Sequence, residues 1–216
     1  MSYIQLIKGK NKKNLDILIS FYNNVWGGYA EYVDYDKALY CMFKKDNEGN
    51  FSKMAKVVVL NKMYSAGMKD VQLESFVKDF DWVISGRQYK KYGGDYKSNQ
   101  LLSLESKLCH WNNEVNDKSK TSPIYDNNVR VVISHYTGVS KSSMNGNFKD
   151  TKKAVDDFIT KYLGGDIKDP ITVTVEGLPS EISIYRLVDK FLWLSYKIIK
   201  NGRMVPEDVK KQFNAI

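Results

Sequence analysis

The residues best placed to do chemistry fall between Leu101 and Arg130. Within Leu101-Leu102-Ser103-Leu104-Glu105-Ser106-Lys107-Leu108-Cys109-His110-Trp111, the side chains of Leu101, Leu104, Leu108 and Trp111 share one face of a helix, because successive residues advance by about 100°. Lys107 lies three residues after Leu104 and four before Trp111, on the border of that stripe. A lysine partly removed from water there loses some of the solvation that favours ammonium, which is how an amine becomes a nucleophile near neutral pH. Read alone, Lys107 is more simply a lysine snorkelling off the edge of a core helix. Asp126 stands 19 residues further on. It directly follows the apolar lead-in Pro123-Ile124-Tyr125 and precedes the stripe Val129, Val132, Ile133 and Tyr136, the position of a helix N-cap. Backbone N–H groups donating to such a carboxylate favour its ionised form.

Lysine and capping aspartate together, with Pro123-Ile124-Tyr125-Asp126-Asn127-Asn128-Val129, resemble the helix-hairpin-helix DNA glycosylase superfamily, most closely its 8-oxoguanine DNA glycosylase branch. There a lysine opens the second helix of the hairpin, and an aspartate after a Pro-apolar-apolar run caps the next helix. The resemblance covers residues 99–136 and thins elsewhere to a similar succession of helices. It implies a mainly α glycosylase fold, a single domain over 1–216 that could be organised as two helical lobes flanking a DNA-binding cleft. It further implies a bifunctional DNA glycosylase/AP lyase of base excision repair, excising an oxidised purine through a Schiff base on Lys107, with Asp126 assisting. Trp111, one turn beyond Lys107, would line the base pocket, or else be a core tryptophan. Asn128 and Arg130 would contact DNA. The family's glycine-rich hairpin, which grips a DNA phosphate, is replaced here by Ser98-Asn99-Gln100-Leu101-Leu102-Ser103-Leu104-Glu105-Ser106. That departure motivates the second reading, a non-catalytic nucleic-acid-binding protein that keeps the fold, from a defence or mobile-element setting. A third is a helical interaction module in which both residues are structural.

A second basic feature is Arg87-Gln88-Tyr89-Lys90-Lys91-Tyr92-Gly93-Gly94-Asp95-Tyr96-Lys97. Cations neutralise phosphates and aromatic faces stack on exposed bases, so Arg87, Tyr89, Lys90, Lys91, Tyr92 and Lys97 suit a nucleic-acid rim. The same composition suits an exposed turn. No cofactor and no metal are expected, since neither His110 nor His135 has a partner at ligand spacing with Cys41 or Cys109. On the helical wheel His110 points away from the stripe beside Lys107, either toward the surface or into a supporting position behind the residues of the site.

These residues must be positioned by helices. Leu15, Leu18, Ile19, Tyr22 and Val25/Trp26 keep helical spacing up to Gly27-Gly28. Asp36 suits the cap of a short segment carrying Leu39, Met42 and Phe43. Further helices are expected from Ser52 to about Met68, Leu73 to Ser85, Asn99 to Trp111, from Asp126, from Asp150 or Thr151 to Gly164, from Pro179-Ser180-Glu181 to about Ile199, and after Pro206. Asn112 to Pro123 reads as a polar loop. Only Ile171 to Val175 alternates like a strand, and one strand makes no sheet.

The 216 residues, 43% apolar and 27% charged, have globular rather than disordered composition. Two cysteines exclude a disulfide scaffold and fit a reducing compartment. No run reaches the roughly 20 apolar residues of a membrane span, and the start Met1-Ser2-Tyr3-Ile4-Gln5-Leu6-Ile7-Lys8 carries no secretory signal. A cytoplasmic, nucleoid-associated monomer is expected, with no membrane partner. The +8 charge is almost all lysine, as the only arginines are Arg87, Arg130, Arg186 and Arg203. It favours a polyanionic partner, here double-stranded DNA carrying a damaged base.

Overall fold

The computed structural model describes residues 2–9, 12–44, 98–145, 148–164, 167, 169–202 and 205–216. The helices expected near 52–68 and 73–85 and the basic, tyrosine-rich segment 87–97 lie outside the described residues. Among the described residues there are seven α-helices and one two-stranded pair, so the fold is mainly α. Helix α1 (Lys12–Ser20) runs without a break into a π-helical segment, Phe21–Trp26, and stops at the Gly27-Gly28 turn. There follow α2 (Ala30–Phe43), α3 (Ser98–Asn116), a 3-10 turn (Lys118–Lys120), α4 (Asn127–Thr137) and α5 (Phe148–Phe158), which widens into a π-helical segment, Ile159–Leu163. The pair β1 (Ile171–Thr172) and β2 (Glu181–Ile182) is antiparallel, with Ile171 opposite Ile182. Helices α6 (Ile184–Asn201) and α7 (Glu207–Asn214) complete the described chain.

Local chemistry sets the helix ends. Asp126 caps α4 by accepting a hydrogen bond from the Asn128 N–H at 2.7 Å, and Gly138, at φ 79°, closes it. Few side chains tolerate that left-handed conformation, which terminates the helix cleanly. Ser183 caps α6 in the same manner, its Oγ accepting from the Arg186 N–H at 3.1 Å.

Helix α6 is the spine of the core. Its Leu187, Val188, Phe191, Leu192, Leu194 and Ile198 are buried, and α4 lies along it with Val129, Val132 and Ile133 facing inward. Each fully buried side chain of this kind contributes about 1.5–3 kcal/mol relative to exposure. Phe21 meets Phe191 edge-to-face at 5.1 Å and Phe213 at 6.0 Å, which joins the first, sixth and last helices.

Several sequence expectations are corrected. Asp36 is no cap: it lies inside α2, fully buried, because Arg186 from α6 neutralises it there. Helix α3 continues past Trp111 to Asn116, so the polar loop is shorter than its composition suggests. Helix α6 starts at Ile184, not near Pro179, because Glu181–Ile182 is taken up as a strand. Of the alternating run Ile171 to Val175 only the first two residues are strand, the Val173 N–H adding one more hydrogen bond to the Ser180 carbonyl at 2.8 Å. No helix among the described residues is long and apolar enough to cross a membrane.

Candidate active site

The middle of α3 is buried on almost every side. From Ser106 to Trp111, Lys107 alone is exposed. A polar stripe on the helix explains what covers the rest. Ser106 Oγ accepts from the Tyr125 N–H at 2.9 Å and donates to the Ser103 carbonyl at 3.1 Å. His110 Nδ1 lies 2.7 Å from the Ser122 carbonyl, and Asn113 Nδ2 donates to the Lys120 carbonyl at 2.8 Å. Residues spaced i, i+4 and i+7 occupy one helix face. Here that face grips the backbone of 120–125 as it doubles back antiparallel to α3, burying Thr121 through Tyr125. The geometry puts Asp126 beside Lys107: Lys107 Nζ lies 3.5 Å from Asp126 Oδ2, the side chains being 46% and 17% exposed.

A carbonyl only accepts, so the His110–Ser122 bond places the proton on Nδ1. His110 is fully buried rather than superficial, and burial, aided by the Arg186 charge, pushes its pKa down to about 3. It is a neutral structural donor.

Trp111 is also buried. Arg186 lies over its ring at 4.1 Å and the Tyr40 ring meets it edge-on at 5.2 Å. Arg130 lies over the Tyr125 ring at 4.4 Å and donates through Nη1 to Asn145 at 3.2 Å, with little exposure. It therefore braces the chain just before Asp126. Asn128 contributes the N–H that orients the Asp126 carboxylate. The remaining expected DNA contacts, Arg87, Tyr89, Lys90, Lys91, Tyr92 and Lys97, lie outside the described residues.

Behind the site is an ion network that the sequence did not disclose. Asp36 pairs with Arg186, both buried, and Lys190 Nζ is 3.5 Å from the other Asp36 oxygen. Lys190 also lies over the Trp26 ring at 4.0 Å. Burial, then the Arg186 charge, lowers its pKa to about 8. Glu114 on α3 accepts from the Ser183 N–H and hydroxyl and from Tyr40 Oη, fixing the start of α6. Burial pushes its carboxyl up, opposed by Ser183 and Arg186. Arg186 Nη1 lies 3.7 Å from Asp189 Oδ2 on the next turn.

An exposed amine beside a fixed, capped carboxylate can form a covalent imine with an aldehyde, the carboxylate serving as proton acceptor and as counter-charge. No family model, no curated protein and no solved structure matches the chain. Among the described residues, no three or more His, Cys, Asp or Glu side chains are grouped to hold a metal ion.

Proposed function

We propose that the protein is a bifunctional DNA glycosylase/AP lyase acting on an oxidised purine, with Lys107 as nucleophile. The observation that carries this reading is the 3.5 Å approach of Lys107 to Asp126, in a turn of α3 where every neighbouring residue from 106 to 111 is buried. The oxidised purine comes from the resemblance alone; the Schiff-base chemistry is what the pair itself suits.

A glycosylase turns its target base out of the stack, at a cost of a few kcal/mol. The Lys107 amine then attacks the sugar C1′ as the bond to the base breaks. Opening of the sugar ring gives a Schiff base, and loss of the C2′ proton expels the 3′ phosphate. Asp126 takes the lysine proton and stabilises positive charge developing at the sugar. Its hydrogen bond from Asn128 holds it in place for both tasks.

Borohydride reduction on duplexes carrying 8-oxoguanine or an abasic site tests this directly. The expected outcome is a covalent protein–DNA product that Lys107→Gln abolishes and Asp126→Asn reduces by roughly 100-fold or more. A trap that survives Lys107→Gln moves the nucleophile to another amine.

One observation favours the second reading. Helix α3 runs unbroken from Ser98 through Ser106, the stretch where the family it resembles turns its glycine hairpin. A protein that binds these duplexes but neither excises nor nicks them is the non-catalytic form of the fold.

A further inference from the structure

The close approach of Lys107 to Asp126 does not sustain itself. Lys107 is 46% exposed, and an ion pair so open to water holds its partners only weakly. The backbones beneath the two side chains therefore set their separation. Lys107 is carried by α3, and Asp126 by the segment that returns along it to cap α4. One hydrogen bond joins these backbones immediately beside the pair. Ser106, the residue before Lys107, accepts through Oγ from the N–H of Tyr125, the residue before Asp126, at 2.9 Å. The Ser106 proton is committed to the Ser103 carbonyl at 3.1 Å, which leaves the oxygen lone pairs for the returning chain. Ser106 and Tyr125 are both buried, so bulk water does not compete for the bond. The Tyr125 ring is held separately from α4, with the Arg130 guanidinium 4.4 Å from its centroid. Tyr125 is thus fixed to α3 by its N–H and to α4 by its ring, and Asp126 follows it directly. His110 and Asn113 hold the same segment at Ser122 and Lys120, further from Asp126. Of the three polar residues on that face of α3, only Ser106 reaches the residue adjoining the carboxylate.

We propose that Ser106 is a positioning residue for the Schiff-base reaction: through the Tyr125 N–H it holds the Asp126 carboxylate where it can take the proton that Lys107 sheds. This inference rests on the glycosylase/lyase reading. In this role Ser106 touches no reacting atom. Removing its hydroxyl leaves the buried Tyr125 N–H without that acceptor, and the chain before Asp126 must shift to pair it. A misplacement of about 1 Å between reacting groups costs about 100-fold in rate, so a small shift at residue 125 is felt at the lysine.

Two measurements on Ser106→Ala test it. Amide hydrogen exchange reads the bond without any activity. Exchange at Tyr125 is expected to rise while the core amides of α6 keep their wild-type protection. An unchanged Tyr125 amide, or a loss of protection shared by α6, overturns the link. Single-turnover borohydride trapping on an abasic-site duplex reads the role. The variant is expected to trap roughly tenfold or more slowly, with its Kd for that duplex unchanged. In an Asp126→Asn background the same substitution should slow trapping no further, because the group that Ser106 positions is already gone. Equal losses in both backgrounds, or a rate loss matched by a loss of affinity, overturn the proposal. Wild-type protein that forms no trap overturns the glycosylase/lyase reading, and the role of Ser106 falls with it. A wild type that traps, beside a Ser106→Ala that traps equally fast, overturns this inference alone.

Discussion

At the scale of single residues, Lys107 and Asp126 were legible because local rules act on both. One borders an apolar helical stripe, the other precedes one at a capping position. The wheel leaves His110 between the surface and a supporting position because it considers only the helix's apolar face, and the structure selects the supporting one. What buries His110 is the Ser122 carbonyl, delivered by a returning segment 12 residues away. The signal present in the sequence was the polar stripe Ser106, His110 and Asn113. Its burial has a pH consequence. An unfolded histidine protonates near its ordinary value of 6.5, whereas His110 in the fold resists protonation down to about 3. The folded state therefore holds its full advantage from this group above pH 6.5 and loses it progressively as the pH falls toward 3. Thermal midpoints measured across that window fall for the wild type and fall less steeply in His110→Asn, which keeps a donor for Ser122. Equal slopes would assign the acid sensitivity to another group.

At the scale of elements, α4 and α6 were readable from their stripes, and Gly27-Gly28 and Gly164 from their places at helix ends. What escaped was pairing between helices far apart in the chain. Asp36 and Arg186 are 150 residues apart, and nothing local to either marks a partner, so Asp36 read as a cap on composition alone. Trp111 read as either base pocket or core; Arg186 and Tyr40 cover it from two directions, one stacked on the ring and one at its edge. The network holds α2, α3 and α6 in the register that presents α3 to the 120–126 segment. Breaking a buried ion pair from one side costs about 3–5 kcal/mol because the other charge is stranded. Arg186→Met is expected to lose stability on that scale in denaturant unfolding, and Asp36→Leu combined with Arg186→Met to regain part of it. A loss below about 1 kcal/mol in the single variant would mean that Lys190 already compensates Asp36.

At the scale of the whole molecule, the +8 charge becomes a measurable expectation once DNA is the proposed partner. Each phosphate neutralised releases counterions, so affinity for a duplex should fall at least about tenfold between roughly 50 and 200 mM salt. A flat response in fluorescence anisotropy would leave the lysines as a solvated coat. The mainly α character was evident from periodicity, but how the ends of the chain meet was not. That meeting, through Phe21, Phe191 and Phe213, bears on how the protein is made. On the ribosome, the aromatic face around Phe21 gains its Phe191 partner only when α6 emerges, and its Phe213 partner only with α7. A core assembled from such distant segments closes slowly and late. The aromatic face around Phe21 therefore waits for those partners through most of translation, the condition under which nascent chains engage chaperones or aggregate.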